Sequence, residues 1–451
     1  MPNFPTPPQN NRIGFHYYPD YNHYRDKDLH KWLPELDALG ATWLTLLAPG
    51  GRAIPENFIR GLISQGIEPI LHFKLPLESP PEIKDLELLF NNYAKWGVHY
   101  TILFSNPNKR SAWSPTAWVQ MDLVDRFLDR FVPAAETAAK SGLVPVFPPL
   151  QPGGDYWDTA FLRASLDALQ RRDNHFLLDR MALSANAFAG DRPLTWGSGG
   201  PELWPEARPY QTKGSGQDQI GFCIYDWYIA ISQAVVGEAR PIILLNLGSS
   251  SKSSDNSSAK QNTNVRRTLS IVEALAEPIP TKTKELTGVT KLSVIKKPPP
   301  EVLCGNFWLL ATESEDPSAH QAWYVSGNEI SSRVHALKRW ISYTRSKVKS
   351  MDPKGDQEIT ENHPIPHYLI LPAYEWGITD WHLNAARPFI RKYRPMIGFS
   401  LNHAYLAERV TVVGGVEHFP ETALENLRSA GCRVDRISGD GTSIATQLAE
   451  K

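Results

Sequence analysis

The sequence is short of cysteine and of net charge, and each shortage excludes a class of protein. Its 451 residues include only three cysteines (Cys223, Cys304 and Cys432), whose wide spacing excludes a disulfide framework and offers no metal-binding pattern. Lysine and arginine number 47 against 48 aspartates and glutamates, so the net charge of −1 provides no field that would attract nucleic acid. We therefore expect no nucleic-acid partner, no bound metal and no cofactor.

Long apolar runs and a targeting leader are also missing. No run approaches the ~18 apolar residues of a membrane span, and the N-terminal MPNFPTPPQNN has neither the basic nor the apolar region of a signal peptide. We expect a soluble, cytoplasmic protein without membrane insertion, with export or surface association as the alternative; the sequence does not predict an oligomeric state. Aromatic residues are plentiful, with 14 tryptophans and 16 tyrosines. Such rings suit a carbohydrate ligand, because sugars stack their C–H faces on them.

Short β-branched or aromatic segments alternate along the chain with segments of helical periodicity. Asp28–Leu39, for example, repeats apolar residues at a spacing of three to four and stops at Gly40. Eight strands are predicted: Ile13–Tyr18, Thr42–Leu47, Glu68–Lys74, His99–Phe104, Val144–Phe147, Met181–Asn186, Pro241–Asn246 and Leu303–Ala311. Because a helical pattern follows each of them, we predict an α/β fold, a (β/α)₈ TIM barrel over residues 12–345.

The remaining segments differ in composition from the barrel. Residues 1–11 are polar and proline-rich, which predicts a disordered tail, and 249–264 are rich in serine and asparagine, which predicts a disordered insertion. A polar linker is predicted at 346–363. Residues 364–451 again alternate strand and helix, so they predict a small C-terminal α/β domain.

Polar and aromatic residues follow several predicted strands, at the barrel end where TIM-barrel sites lie. After the fourth strand the chain reads Ser105-Asn106-Pro107-Asn108, with Lys109, Arg110 and Trp113 beyond. Lys74, Lys109 and Arg110 could hold an anionic sugar, or could be solvated surface charges; His16 and His72 could face a ligand, or be hydrogen-bonded structural histidines. We predict as ligand-binding residues His16, Tyr18, His72, Lys74, Asn106, Asn108, Arg110, Trp113, Asn186, Asn246 and Trp308. Further tryptophans predicted on loops or strand ends of this face are Trp157, Trp196, Trp204 and Trp323.

The order of these motifs resembles the large superfamily of retaining glycoside hydrolases with a (β/α)₈ barrel. In that family the fourth strand closes with Asn-Glu-Pro-Asn, followed by a tryptophan; here the same place reads Ser105-Asn106-Pro107-Asn108, with Trp113 behind it. The seventh strand of the family ends in Thr-Glu-Gly-Gly or a close variant, and here it ends in Leu245-Asn246-Leu247-Gly248. The resemblance covers roughly residues 12–345 and implies a carbohydrate ligand.

The departures from the family pattern bear on catalysis. The resemblance implies a catalytic acid and a nucleophile at Asn106 and Asn246, and both are amides. Retaining hydrolysis needs one carboxylic acid to protonate the leaving oxygen and one carboxylate to attack the sugar. An amide does neither, although it hydrogen-bonds sugar hydroxyls in both directions. We therefore predict a catalytically degenerate barrel that binds a carbohydrate or cell-envelope glycan without cutting it.

Two alternatives remain. The first is an active hydrolase that uses other carboxylates at the barrel mouth, although each is also explained as a solvated loop charge or helix cap: Asp20, Asp155, Asp191, Glu202 and Glu313. The second is a structural or interaction scaffold. An open aromatic cleft would favour binding, two carboxylates ~5–10 Å apart would favour catalysis, and a filled mouth would favour a scaffold.

The C-terminal segment carries a second resemblance, to a cell-wall-binding repeat. Three pieces of the repeat stand in order in this sequence: Val412-Val413-Gly414-Gly415, Phe419-Pro420, and Arg436-Ile437-Ser438-Gly439 continuing to Ala445-Thr446. Only one copy is evident, where such repeats usually occur in sets. The glycine pair before a helix offers another interpretation, a phosphate held at the helix N-terminus.

Overall fold

In a computed structural model, the chain forms two compact units, residues 1–350 and 351–451. The structure describes residues 4–188, 190–210, 216–248, 258–276, 296–326, 329–351, 365–372, 380–399 and 401–450. No helix in these ranges is long and apolar enough to cross a membrane.

The first unit is built on an eight-stranded sheet in which every paired strand is parallel to its neighbour. The strands are β1 (Ile13–His16), β2 (Trp43–Leu47), β3 (Glu68–Phe73), β4 (Tyr100–Leu103), β5 (Val144–Val146), β6 (Leu183–Asn186), β7 (Ile242–Leu247) and β8 (Val302–Phe307). Their order, β5-β4-β3-β2-β1-β8-β7-β6, leaves β5 and β6 at the two edges, where a single bridge between Val146 and Ala182 joins them. The predicted TIM barrel is confirmed.

Helices follow the strands and cover the outside of the barrel. Their apolar faces are buried; in the first helix these residues are Leu29, Trp32 and Leu36. The helices are Asp26–Ala38, Glu56–Ser64, Ile83–Lys95, Pro115–Trp118, Leu123–Lys140, Asp158–Arg171, His175–Arg180, Ile224–Val236, Ser258–Leu275 and Ser332–Met351. The short helix His175–Arg180 was not predicted, because six residues are too few for a periodic signal.

The strands are buried on both faces, as parallel sheets covered by helices require. Every residue of β2, β3 and β4 is buried. One apolar cluster fills the inside of the barrel and includes Trp43, Tyr100 and Ile243, while a larger cluster joins the strands to the outer helices. The inner and outer clusters hold the strands in place, so that the C-terminal ends of the strands meet at the mouth of the barrel.

Residues 4–11 contact the N-terminal end of the barrel, so the predicted disordered tail is wrong for them. The Tyr100 hydroxyl donates to the Pro5 carbonyl over 2.8 Å, and the Trp43 indole N–H donates to Asn10 Oδ1 over 2.8 Å. Phe4 packs against the inner cluster. Trp43 and Tyr100 begin their strands, so this segment covers the closed end of the barrel, opposite the mouth.

Three further boundaries differ from the predicted ones. Residues 258–264, assigned to a disordered insertion, begin the helix Ser258–Leu275, whereas 249–257 lie outside the described residues. Residues 346–351 of the predicted linker complete the helix Ser332–Met351, and 352–363 lie outside the described residues. The predicted eighth strand stops at Phe307, and Ala311–Thr312 forms a separate strand, β9, that pairs with β10 (Tyr324–Val325). β10 in turn pairs with β11 (Glu329–Ile330).

Gly14 lies in β1 where neighbouring strands leave no room for a side chain. A Cβ at this position would lie 2.4 Å from Asn306 Oδ1 and 2.8 Å from Trp43 Cβ. We expect Gly14→Ala to lower the free energy of unfolding by roughly 1–3 kcal/mol through overpacking. Urea unfolding would measure the loss, with Gly51→Ala as control because a Cβ on Gly51 meets no atom within 4 Å. Equal stability of the two variants would contradict this packing.

The second unit is a four-stranded parallel sheet with helices, which confirms the small C-terminal α/β fold. Its strands are β12 (Ile365–Ile370), β13 (Met396–Gly398), β14 (Ala407–Val413) and β15 (Arg433–Ile437), in the order β13-β12-β14-β15. Its helices are Asp380–Tyr393, Leu401–Ala404, Glu421–Ser429 and Gly441–Glu450.

Candidate functional site

A cavity of about 490 Å³ lies at the C-terminal ends of the barrel strands, and we call it the mouth cavity. Its volume falls within the range of about 300–1,000 Å³ typical of small-molecule sites. Residues at or just beyond the ends of strands supply most of its wall. The lining residues are His16, Tyr18, Thr45, Leu47, His72, Lys74, Ser105, Asn106, Pro149, Gln151, Asn186, Phe188, Leu245, Asn246, Leu247, Gly248, Trp308 and Gln321.

Three asparagines form a chain of hydrogen bonds across this wall. Asn246 Nδ2 donates to Asn186 Oδ1 over 2.7 Å, and Asn186 Nδ2 donates to the Leu150 carbonyl over 2.8 Å. Asn186 Nδ2 also lies 3.4 Å from Asn106 Oδ1. The Leu150 carbonyl can only accept, so it fixes the donor-to-acceptor direction of all the hydrogen bonds between the three asparagines. The structure thus joins the two positions that the family resemblance marks as catalytic through one intervening amide.

The backbone supplies a separate reason for asparagine at these two positions. Asn106 has a φ of 47° and Asn246 a φ of 56°, both in the left-handed region. Asparagine and aspartate adopt this region more readily than other residues with a side chain. Glutamate, which the resemblance implies at both places, would carry a backbone cost here that asparagine largely avoids.

His16 and His72 face the cavity as neutral rings. Burial, followed by the charge of Lys74, lowers the pKa of His72 to about 3, and its Nε2–H donates to the Phe104 carbonyl over 3.1 Å. Burial also lowers the pKa of His16 well below its usual value. His16 Nε2 accepts the backbone N–H of Asn246 over 3.3 Å, so it has a structural partner on β7. Both histidines therefore fix neighbouring backbone as well as lining the site.

Lys74 is the one cation among the described lining residues. It follows β3 at the accessible rim, and the surrounding protein lowers its pKa by desolvation. No aspartate or glutamate in the described chain forms an ion pair with it. The described wall consequently carries one positive charge and no negative charge.

Three aromatic side chains line the wall, Tyr18, Phe188 and Trp308, and two of them have ring neighbours. Trp308 is half-buried, and its ring meets His16 edge-on with centroids 5.0 Å apart. The Tyr18 ring stacks on His23 at 3.7 Å. These neighbours hold each ring in place, as an aromatic binding surface requires.

Three of the predicted ligand residues lie outside the mouth cavity. Asn108 is fully buried and bonds the loop after β5, donating to the carbonyls of Gln151 and Tyr156 and accepting from the Gln151 N–H. The Trp113 indole donates to the Pro107 carbonyl over 2.8 Å, and its ring lies below Arg126 and Arg130. Arg110 is exposed. Asn108 and Trp113 shape the loop after β4.

The alternative carboxylates are also absent from the described wall, which contains no aspartate or glutamate. Asp155 accepts the backbone N–H of Arg110, and Asp191 and Glu202 are exposed in the loop after β6. Asp20 and Glu313 do come together at His23, 3.0 and 3.2 Å from its two ring nitrogens. A Ser326 hydrogen bond, then His23, lowers the pKa of Glu313, opposite to the raised pKa of a general acid.

The other tryptophans fill packing roles, and several lining residues carried no signal in the sequence. Trp323 is fully buried, Trp157 meets Tyr210, and Trp196 packs against Trp204. Sequence reasoning missed Thr45, Ser105, Gln151, Phe188 and Gln321 among the lining residues. All of these residues except Gln321 lie in a strand or within a few residues of its end. That position was the one signal in the sequence that could have identified them.

A metal site is not formed by the described part of the chain. No group of three histidine, cysteine, aspartate or glutamate side chains converges there in a way that could hold an ion. All three cysteines are buried, and none of them forms a disulfide.

Comparison with known proteins gives similarities of fold. No protein-family model and no curated protein matches the sequence. A beta-galactosidase from the psychrophilic Marinomonas ef1 aligns at 10% identity over 96% of this chain and 76% of its own, with a TM-score of 0.44. A beta-xylosidase from Caulobacter crescentus CB15 aligns at 10% identity over 74% of this chain and 69% of its own, with a TM-score of 0.43. A family 51 alpha-L-arabinofuranosidase from Bifidobacterium longum aligns at 10% identity over 76% of this chain and 74% of its own, with a TM-score of 0.39. Similarity at this level assigns no activity to this chain.

Proposed function

We propose that the barrel is a catalytically degenerate relative of the glycoside hydrolases that binds a glycan in the mouth cavity without hydrolysing it. The observation that carries the proposal is the composition of the wall, which combines amides, neutral imidazoles and a tryptophan but includes no carboxylate among its described residues. Acid catalysis and nucleophilic attack on a sugar both depend on carboxyl groups in this chemistry.

The wall offers hydrogen-bond donors and acceptors for the hydroxyl groups of a neutral sugar. Asn106, Asn246, Gln151 and Gln321 each line the cavity with an amide, a group that can donate and accept, whereas the Asn186 amide donates within the wall. The Asn106 side-chain donor makes only a long 3.4 Å contact, with Ser105 Oγ, so it can exchange that contact for a ligand. Trp308 supplies a ring face beside these polar groups. This mixture of aromatic and precisely placed polar groups is typical of small-molecule sites.

The second unit supports a glycan of the cell envelope as the ligand class. The three pieces that resemble a cell-wall-binding repeat meet in space: the Gly414 N–H donates to the Ile437 carbonyl over 2.9 Å, and the Arg436 guanidinium donates to the Phe419 carbonyl. Arg436 also pairs with Glu421 at 3.0 Å. The phosphate alternative is disfavoured, because the Glu417 carboxylate lies beside Gly415, with an oxygen 2.3 Å from the position that a Cβ would take there, and it would repel an anion.

The test combines binding and turnover. Wild-type protein is titrated calorimetrically with a panel of cell-wall and plant oligosaccharides, and the same mixtures are analysed for products by chromatography. We expect binding without cleavage for at least one member. Cleavage by wild-type protein would contradict the proposal and direct attention to Asp20 and Glu313, and the absence of binding across the panel would favour the scaffold.

Trp308→Ala is expected to weaken binding of the best panel member at least tenfold, because it removes the largest ring of the wall. Trp118→Ala provides a matched control, since Trp118 is partly buried but lies outside the mouth cavity. Equal affinities in the two variants would place the ligand elsewhere.

A further inference from the structure

Two cationic side chains at the mouth of the barrel lack an acidic partner in the described chain. The first is Lys74, which lines the mouth cavity and forms no ion pair. The second is Arg333, which lies at the start of the helix Ser332–Met351 and is only 9% exposed. An arginine buried to this extent is usually paired with a carboxylate, whereas Lys74 is exposed at the rim of the cavity. The lack of an acidic partner at Arg333 is therefore the feature that packing does not explain.

Arg333 is held by neutral groups that leave one nitrogen of its guanidinium without a hydrogen bond. Its Nε donates to Ser331 Oγ, and its Nη2 donates to the carbonyls of Gln321 and Ala322. Its Nη1 makes no hydrogen bond with any described residue. That nitrogen lies 3.8 Å from the position a Cβ would take on Gly248, a residue of the cavity wall.

The two cations approach the cavity from opposite sides. Lys74 follows β3 and Gly248 follows β7, and these strands are four positions apart in the circular order of the barrel. Between them the described wall is neutral. Because a cleft focuses the field of the charges around it, the cavity is positive with no internal counter-charge.

We propose that the mouth cavity takes an acidic glycan, with the anionic group of one sugar unit bound by Lys74 and the Arg333 charge behind Gly248 strengthening the attraction. The inference rests on the proposed glycan binding and adds the class of sugar to it. The shared chemistry is a carboxylate or sulfate on the ring. Lys74 Nζ makes a charge-assisted hydrogen bond to that group, while the amides bind the remaining hydroxyls.

The experiment compares three linear oligosaccharides of matched length by calorimetry: a hexuronic acid oligomer, its carboxyl-reduced neutral counterpart, and a sulfated oligomer. Each is titrated into the wild-type full chain, Lys74→Gln, and Lys84→Gln, whose lysine is exposed on the outer helix Ile83–Lys95 and serves as the charge-matched control. We expect wild-type protein to bind at least one acidic oligomer roughly tenfold or more tightly than the neutral one. Lys74→Gln should remove most of that preference, and Lys84→Gln should keep it.

The outcomes separate this inference from the proposed function. Equal binding of the acidic and neutral oligomers would overturn the acidic-ligand inference and leave glycan binding intact. A preference that survives in Lys74→Gln would overturn the role of Lys74. Failure of all three oligomers to bind would overturn the inference and count against glycan binding. Which acidic oligomer binds more tightly distinguishes a carboxylate from a sulfate, and raised salt should weaken that complex more than the neutral one.

Discussion

Asn246→Asp is expected to destabilise the barrel by about 1–3 kcal/mol at pH 7, whereas Asn106→Asp should change its stability little. The difference follows from the direction of the asparagine chain. Asn246 must donate to Asn186 Oδ1, and an ionised aspartate has no proton to give. Asn106 Oδ1 is instead approached by Asn186 Nδ2, so a carboxylate there still accepts.

The two variants control for each other, because both replace asparagine by aspartate at a positive φ. Urea unfolding at pH 7 and at pH 4 would measure the effect. The loss in Asn246→Asp should shrink at the lower pH, where a protonated carboxyl can donate to Asn186. Equal losses in the two variants, or a larger loss in Asn106→Asp, would contradict this direction of the hydrogen bonds.

Stability should fall by about 2 kcal/mol between pH 7 and pH 5 through His72 alone. Its pKa is lowered from 6.5 to about 3 in the folded protein, first by burial and then by the charge of Lys74. Between these values the unfolded chain takes up a proton that the folded chain does not. The contribution is therefore present above pH 6.5 and is lost as the pH falls towards 3. The lowered pKa of His16 acts in the same direction.

His72→Gln removes the titrating ring and keeps an N–H donor for the Phe104 carbonyl. We expect its stability to change about 2 kcal/mol less between pH 7 and pH 5 than that of wild-type protein. His335→Gln, at an exposed position of the helix Ser332–Met351, is the control and should retain the wild-type slope. An unchanged slope in His72→Gln would mean that His72 ionises freely in the folded state.

The barrel was predictable because its signals are local. Each strand is a short apolar run bounded by turn residues, and each helix repeats its apolar positions at the helical period, so order and type followed from the sequence. The strand ends were also enough to bring His16, His72, Lys74, Asn186 and Asn246 into one group, and the structure places all five on the same cavity.

The errors concern contacts between segments distant in the sequence. Asn108 and Trp113 lie in the same segment after β4 as Asn106, but Asn108 donates to the Gln151 carbonyl in the loop after β5, and Trp113 donates to the Pro107 carbonyl of its own loop. Residues 4–11 have no periodicity, and their place depends on two donors that lie far along the chain, Trp43 and Tyr100. Arg333 could not be recognised for a similar reason: its lack of an acidic partner is a property of the folded chain.

The wall of the barrel is closed between β5 and β6 partly by side chains. Beyond the bridge at Val146, the Ser184 hydroxyl donates to the Phe147 carbonyl over 2.7 Å, and Asn186 donates to the Leu150 carbonyl over 2.8 Å. Asn186 also belongs to the asparagine chain that lines the mouth cavity. One side chain therefore serves both the continuity of the wall and the surface of the cavity. Coupling of this kind is reciprocal. If the closed wall favours the binding of a ligand, a ligand that holds Asn186 in place stabilises the closed wall by the same free energy.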